Sequence, residues 1–78
     1  MDAADGSRQE FLLMFGARVR YLRRRAGLSQ ERLAELSGLH RVTIGLIERG
    51  QREIGVSRIV PLAHALQVPV GVLLEIAE

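Results

Sequence analysis

The residues of this 78-residue chain with the most obvious binding chemistry are its arginines, which supply all 11 basic side chains. Five of them crowd into eight positions: Arg18, Arg20, Arg23, Arg24 and Arg25. A guanidinium group presents a planar fork of donors that suits phosphate oxygens and the edge of guanine. The net charge is only +2. The distribution of the arginines is therefore more informative than their excess over the acidic residues.

Other kinds of chemistry find little support in the sequence. The chain has no cysteine, which excludes disulfides and thiolate metal sites, and two histidines alone do not make a metal centre. It also lacks a glycine-rich phosphate loop and a cluster of carboxylates with histidine. We therefore expect no enzyme activity, no cofactor, no metal and no small-molecule substrate.

Length and hydropathy indicate one small domain outside the membrane. Seventy-eight residues allow a single domain with a small core. No apolar run approaches the roughly 20 residues that span a bilayer, and no signal-peptide pattern opens the chain. These features predict a cytoplasmic protein with no membrane partner.

The stretch from Leu28 to Gly50 predicts two short helices joined by a tight turn. Ser29 is suited to cap a helix over residues 30–37, because its hydroxyl can accept from a free amide of the first turn. Gly38 supplies the break, since glycine tolerates a left-handed backbone. A second helix is expected from about His40 to Arg49, with Gly50 ending it. Two short helices around a glycine-containing turn are typical of a helix-turn-helix.

This stretch resembles the helix-turn-helix of the Cro/phage-repressor (Xre-like) family of bacterial DNA-binding proteins. The resemblance extends from Phe15 to about Leu74. Its most specific parts are Gly27-Leu28-Ser29-Gln30, Leu33-Ala34, Ser37-Gly38 and Ile47-Glu48-Arg49-Gly50. The resemblance implies an all-α fold, namely a five-helix lambda-repressor-like DNA-binding domain with a central helix-turn-helix.

The first helix is expected from Arg8 to Ala26, so that residues 1–7 form a disordered start and residues 8–78 a single helix-turn-helix domain. An apolar stripe at helical spacing marks its inner face: Phe11, Phe15, Val19 and Leu22. Residues 12–14 widen this stripe to nearly the whole circumference, and a helix that is apolar all round is usually buried. Two interpretations stay open: these residues cover the core, or they pack against a second subunit.

Helical-wheel projections of the next two helices assign their inner and outer faces. In helix 2 the inward residues are predicted to be Leu33, Ala34 and Leu36. In helix 3, Ile44 and Ile47 define the core face, while Val42, Leu46 and Arg49 cluster on the opposite side. Outward aliphatic residues need a partner, and the thymine methyl groups of a major groove would provide one.

The last two helices are predicted over residues 56–66 and 70–77. Val56, Ile59, Leu62, Ala63 and Leu66 should face inward in helix 4. Pro61 lies inside this pattern, so we expect a kink or a helix that starts later. Helix 5, opened by Pro69, is apolar on more than one face, and an apolar surplus marks an interface.

The resemblance assigns DNA contacts by position. Helix 3 would lie in the major groove and read base edges through Arg41, Val42, Thr43 and Leu46. Arg41 suits a bidentate contact to guanine O6 and N7, and Val42 and Leu46 suit thymine methyl groups. The alternative for Arg41 is an ordinary solvated cation.

Phosphate contacts are expected around the groove, from Gln30, Arg23, His40, Arg49 and Arg52. Such contacts give affinity and register without sequence information. Gln30 opens helix 2, whose N-terminal amides point at the same phosphate; its alternative is a solvated glutamine. Glu48 would repel phosphate, and we expect it to turn back and pair with an arginine of helix 1, with Arg20 as the candidate.

The resulting prediction is a homodimer that binds palindromic double-stranded operator DNA and regulates transcription. Half-sites one helical turn apart require two copies related by a two-fold axis. The expected dimer contacts are Val70, Leu73, Leu74, Ile76 and Phe11. In size and motif the chain is similar to the controller proteins of restriction-modification systems. The alternatives are an antitoxin that binds a toxin protein and a basic amphipathic membrane binder built on helix 1.

Overall fold

The computed structural model describes residues 3–75, and it describes side chains from residue 6 onward. This part of the chain contains helices and no strands. Its five α-helices are α1 (Ala3–Arg25), α2 (Gln30–Ser37), α3 (Arg41–Glu48), α4 (Ile59–Leu66) and α5 (Val70–Leu73). A 3₁₀ turn, Val56–Arg58, precedes α4. The prediction of an all-α, five-helix domain is confirmed.

Helix α1 begins five residues earlier than predicted, so residues 3–7 are helical and the expected disordered start is wrong for them. Two causes account for the difference. Alanine has the highest helix propensity, and a helix that has formed adds further residues at little cost. In addition, Arg8 forms an ion pair with Glu53 in the loop after α3, which ties this end of α1 to the rest of the domain.

The core lies where α1 crosses the other helices. Three members of the predicted stripe, Phe15, Val19 and Leu22, are at most 6% exposed, whereas Phe11 is 46% exposed. The largest fully buried side chains are Leu33, Ile44, Ile47, Leu62, Leu73 and Val19. Leu36, which was predicted to face inward, is 45% exposed instead. The buried face of α2 consists of Leu33, Ala34 and Ser37, and Leu36 lies about 160° from Ala34 on the helical wheel.

Gly16 sets the distance between α1 and α3. A Cβ atom at this position would lie 2.8 Å from the carbonyl oxygen of Glu48 and still closer to that of Ile47. Only glycine lets the backbones approach so closely. Just beyond α3, Gly50 adopts a φ of 70° and its backbone rests on Leu13 of α1. The end of α3 is therefore held directly against α1.

Proline decides where α4 begins. Residues 56–58 form the 3₁₀ turn and the α-helix starts at Ile59, which makes Pro61 a first-turn residue whose missing N–H would have no helical partner. The predicted later start is thus confirmed. Val56 was predicted to face inward and is 87% exposed, because the 3₁₀ turn takes it off the face of α4.

Helix α5 is a single turn, shorter than the predicted stretch to Ala77, whose last residues lie outside the described part of the chain. Arg18 of α1 holds its end, donating through Nε and Nη2 to the carbonyl oxygen of Val72 at 3.1 and 2.9 Å. Leu73 is fully buried in the core of the monomer, so its predicted role as a dimer contact is wrong.

Candidate nucleic-acid interface

The turn between α2 and α3 is built by local hydrogen bonds that the sequence anticipates. Ser29 caps α2, its Oγ accepting from the backbone N–H of Arg32 at 3.0 Å. Gly38 ends the helix in the left-handed conformation, with a φ of 77°, and donates its N–H to the carbonyl oxygen of Ala34 at 2.9 Å. The predicted bounds of α2 match the structure at both ends. These caps fix the angle at which α3 leaves α2.

Helix α3 presents one buried and one open side. Ile44 and Ile47 are at most 1% exposed and anchor the helix in the core, as predicted. On the open side Val42 is 66% exposed and Arg41 is exposed, while Thr43 and Leu46 are half-buried. The four candidate base-reading residues therefore differ in exposure, and Arg41 and Val42 are the more accessible pair.

Arg41 has one acidic neighbour in the described structure. Its Nε lies 4.0 Å from Oε2 of Glu31, and both side chains are more than half exposed. Exposed ion pairs of this kind contribute about 0–1 kcal/mol. Arg41 can therefore exchange Glu31 for a ligand at little cost in stability.

A buried ion pair lies behind α3 and corrects two predictions. Arg23 of α1 donates to Glu48 of α3 twice, from Nε to Oε2 at 2.6 Å and from Nη2 to Oε1 at 3.0 Å. Its Nη1 donates to the carbonyl oxygen of Leu28 at 2.9 Å. The hydrogen bonds to Glu48 raise the pKa of Arg23, against the opposing effect of burial. Arg23 is thus a structural residue whose three guanidinium nitrogens each donate within the domain, so it is not retained as a phosphate contact, and Glu48 pairs with Arg23, not with Arg20.

The helical wheel of α1 contains the signal that identifies the correct partner. Arg23 follows Val19 by four residues and lies about 40° from it, on the buried stripe, whereas Arg20 lies about 100° away. A guanidinium on a core stripe needs a buried carboxylate, since an unpaired buried charge is costly. Extending the apolar stripe of α1 beyond Leu22 would have identified Arg23 as the partner of Glu48.

Gln30, the first residue of α2, also contacts this ion pair. Its Nε2 donates to Oε1 of Glu48 at 3.1 Å, and the side chain is half-buried. The carboxylate therefore accepts hydrogen bonds from both α1 and α2 while it belongs to α3. Among the described residues no buried side-chain nitrogen or oxygen lacks a hydrogen-bond partner.

The remaining phosphate candidates lie at the two ends of α3. His40 occupies the N-cap position without a capping hydrogen bond from its side chain. At the other end, Arg49 donates from Nε to Oε1 of Gln51 at 3.2 Å, and its guanidinium covers Gly45. Arg52 is exposed in the loop that follows. These three residues thus lie immediately before or shortly after α3.

A separate apolar groove of about 580 Å³ opens between the N-terminal part of α1 and the helices α4 and α5. Phe11 and Phe15 stack along one wall with ring centroids 6.0 Å apart. The opposite wall includes Val60, which is 63% exposed, and Leu74, which is 42% exposed. Val70 lines the groove and is half-buried, whereas Ile76, another predicted dimer contact, lies outside the described residues.

Residues 3–75 carry neither of two other kinds of feature, a metal-binding cluster and a membrane-spanning helix. These residues form no group of three or more histidines and carboxylates able to hold a metal ion. None of their helices is long and apolar enough to cross a membrane.

Comparison with known proteins gives consistent matches. The helix-turn-helix family model HTH_3 matches residues 19–73. Control protein C.SmaI of Serratia marcescens is 50% identical over 56 residues, covering 72% of this chain and 67% of that protein. Control protein C.BamHI of Bacillus amyloliquefaciens is 42% identical over 57 residues, covering 72% and 70%. The structure of the restriction-modification controller protein C.AhdI from Aeromonas hydrophila superposes with a TM-score of 0.77 at 50% identity, covering 80% of this chain and 94% of that one.

Proposed function

This chain belongs to the helix-turn-helix family HTH_3 of DNA-binding regulators, and we propose that it controls transcription by binding a palindromic operator as a homodimer. The observation that carries the proposal is the open side of α3. Arg41 and Val42 are exposed there, while Ile44 and Ile47 anchor the same helix in the core. A rigid helix with one free side is what a major groove admits.

The direct readout is assigned to α3. Arg41 at the start of the helix donates to guanine O6 and N7, and Val42 contacts a thymine methyl group. Thr43 and Leu46 are less exposed, so they read bases only where α3 lies deepest in the groove.

Phosphate contacts hold the helix in register. Gln30 and the first backbone amides of α2 bind one phosphate. His40, Arg49 and Arg52 bind others at the two ends of α3. Arg23 is left out of this set because its guanidinium is engaged by Glu48 and by the backbone of Leu28.

The homodimer is proposed on the apolar groove. A soluble monomer rarely leaves a contiguous apolar patch of this kind uncovered, and half-sites about 34–36 Å apart need two copies of the domain. The contacts assigned to the dimer are Phe11, Val70, Leu74 and, in addition, Val60, which the sequence did not single out. An isologous contact across a two-fold axis would bury these residues in both copies.

The narrower role proposed is that of a restriction-modification controller. Two of the relatives above are named control proteins, and the compared structure is described as a restriction-modification controller protein. None of these three is named as an antitoxin. A controller of this type would act on the promoter of its own gene and on that of an endonuclease gene.

Selection of duplexes from a random pool, at a stated salt concentration, tests the proposal. The expected product is a palindrome with half-sites about 10 base pairs apart, present ahead of the gene for this chain. Weak, salt-sensitive binding without an enriched sequence would contradict it.

Sedimentation equilibrium of Val60→Glu tests the dimer. This change should give a monomer that binds the palindrome at least tenfold more weakly, because it places a charge in the groove. Leu36→Glu is the matched control, since it puts the same charge on an exposed leucine outside the groove. If Val60→Glu and Leu36→Glu changed association and DNA binding equally, the interface would lie elsewhere.

A further inference from the structure

Three helices meet at the carboxylate of Glu48, whose side chain is only 3% exposed. Arg23 of α1 approaches with Nε 2.6 Å from Oε2 and with Nη2 3.0 Å from Oε1. Gln30 of α2 brings its Nε2 to 3.1 Å from Oε1. One end of this network is anchored in the core, and the other lies at the N-terminus of α2.

The chemistry of the carboxylate fixes the orientation of the Gln30 side chain. An ionised carboxylate only accepts hydrogen bonds, whereas a glutamine amide has an oxygen that accepts and a nitrogen that donates twice. Gln30 must therefore turn its nitrogen toward Glu48. One amide N–H is used by Glu48, and the second N–H remains available at the edge of the half-buried side chain.

The hydrogen bond from Gln30 is not needed to neutralise Glu48. Arg23 already donates to both oxygen atoms of the carboxylate, so the buried charge is paired without the glutamine. What the third hydrogen bond changes is the freedom of Gln30, which loses rotamers before any ligand binds. Ordering a long side chain in advance removes the cost in conformational entropy from the binding step.

We propose that Glu48 is a positioning residue for DNA binding, which orients Gln30 so that its second amide N–H donates to a backbone phosphate. This inference rests on the proposed function. Glu48 does not touch the DNA, and its negative charge is compensated by Arg23. The network thus couples the core of the domain to the affinity for any duplex, without altering sequence preference.

A double-mutant cycle tests the coupling between Gln30 and the Arg23–Glu48 ion pair. Gln30→Met removes the amide and keeps the length of the side chain. In the native background this change should weaken operator binding about tenfold and leave the unfolding midpoint nearly unchanged. In an Arg23→Met/Glu48→Leu background, where an apolar pair replaces the ion pair, the same change should cost less than threefold. Equal losses in both backgrounds would overturn the proposal.

Arg41→Ala is the control for the cycle. Arg41 is outside the network, so its effect on operator binding should be the same in both backgrounds. If its contribution falls together with that of Gln30, α3 has shifted as a whole, and the specific positioning of Gln30 is refuted.

NMR of the wild-type protein gives a second test that does not depend on a core variant folding. The two side-chain amide protons of Gln30 should be widely separated in chemical shift, with the proton bound to Glu48 protected from exchange. Adding operator duplex should move the other proton. Two protons with the shifts of free glutamine would refute the positioning role even in a protein that binds DNA, whereas an ordered amide in a protein that binds no duplex would refute the proposed function and with it the phosphate contact.

Discussion

Replacing Gly16 with alanine should destabilise this domain, although the same change stabilises an ordinary helix. Gly16 lies in the middle of α1 and faces the last turn of α3. The added methyl carbon would lie 2.8 Å from the carbonyl oxygen of Glu48, where ordinary contacts are 3.4–4 Å, and nearer still to that of Ile47. Both obstacles are backbone atoms, so no side-chain rotation relieves them.

The size of the effect follows from two opposing contributions. Alanine at an interior helix position is favoured over glycine by about 0.5–1 kcal/mol. Overpacking costs about 1–3 kcal/mol, and rigid backbone obstacles place this site near the upper value. The end of α3 must retreat by more than about 0.5 Å to restore normal contact distances. We therefore expect a net loss of about 2 kcal/mol, which for a domain of this size lowers the Tm by about 8–16 °C.

Urea unfolding followed by circular dichroism, at one fixed protein concentration, measures the difference. Fixed concentration matters because a dimer gains apparent stability by mass action. Gly6→Ala is the matched control, since Gly6 belongs to the same helix and a Cβ there would meet nothing within 4 Å. It should leave stability unchanged or raise it by up to about 1 kcal/mol. A Gly16→Ala protein as stable as Gly6→Ala would refute the claim that glycine sets the distance between α1 and α3.

Three further outcomes are expected. Arg41→Ala should weaken operator binding by about 1–3 kcal/mol and relax one base position in a repeated selection; an unchanged consensus would show that Arg41 is not a reader. Arg52→Ala should weaken binding to all duplexes alike and reduce the salt slope by about one unit, and a loss confined to one operator would argue against a phosphate contact. Arg23→Met should lower the free energy of unfolding by about 3–5 kcal/mol, because it leaves the Glu48 charge buried and unpaired. Adding Glu48→Leu should restore most of that loss, as measured by urea unfolding. If the double variant is no more stable than the single one, the pair does not act through charge burial.

The helix-turn-helix could be predicted almost residue by residue because its determinants are local. Ser29 and Gly38 act on amides and carbonyls within one turn of their own positions, so their effect is visible in the sequence. Gly50 ends α3 for the same kind of reason. The core face of α3 was also predictable, since Ile44 and Ile47 are its two isoleucines and lie about 60° apart on the helical wheel.

The errors occur where a residue's role depends on a distant part of the chain. The five-residue extension of α1 lies next to Arg8, whose ion-pair partner Glu53 is far away in sequence. Leu73 was assigned to a dimer contact because α5 is apolar on several sides, but which side faces the core depends on how α4 and α5 pack. Helical periodicity identifies an apolar face and cannot say whether the same chain or a second copy covers it.

The arginine cluster shows how charge alone overstates a binding surface. Arg23 is buried against Glu48, and Arg18 donates to the backbone of α5 and to Glu75, so two of the five clustered arginines hold the fold together. A guanidinium has the same donors in both roles, so the residue type alone does not separate them. Arg23 lies on the apolar stripe of α1, and the arginines that we propose for DNA contact are instead Arg41, Arg49 and Arg52, which lie in or just after α3. The affinity of the domain should therefore depend more on this segment than on the arginine-rich end of α1.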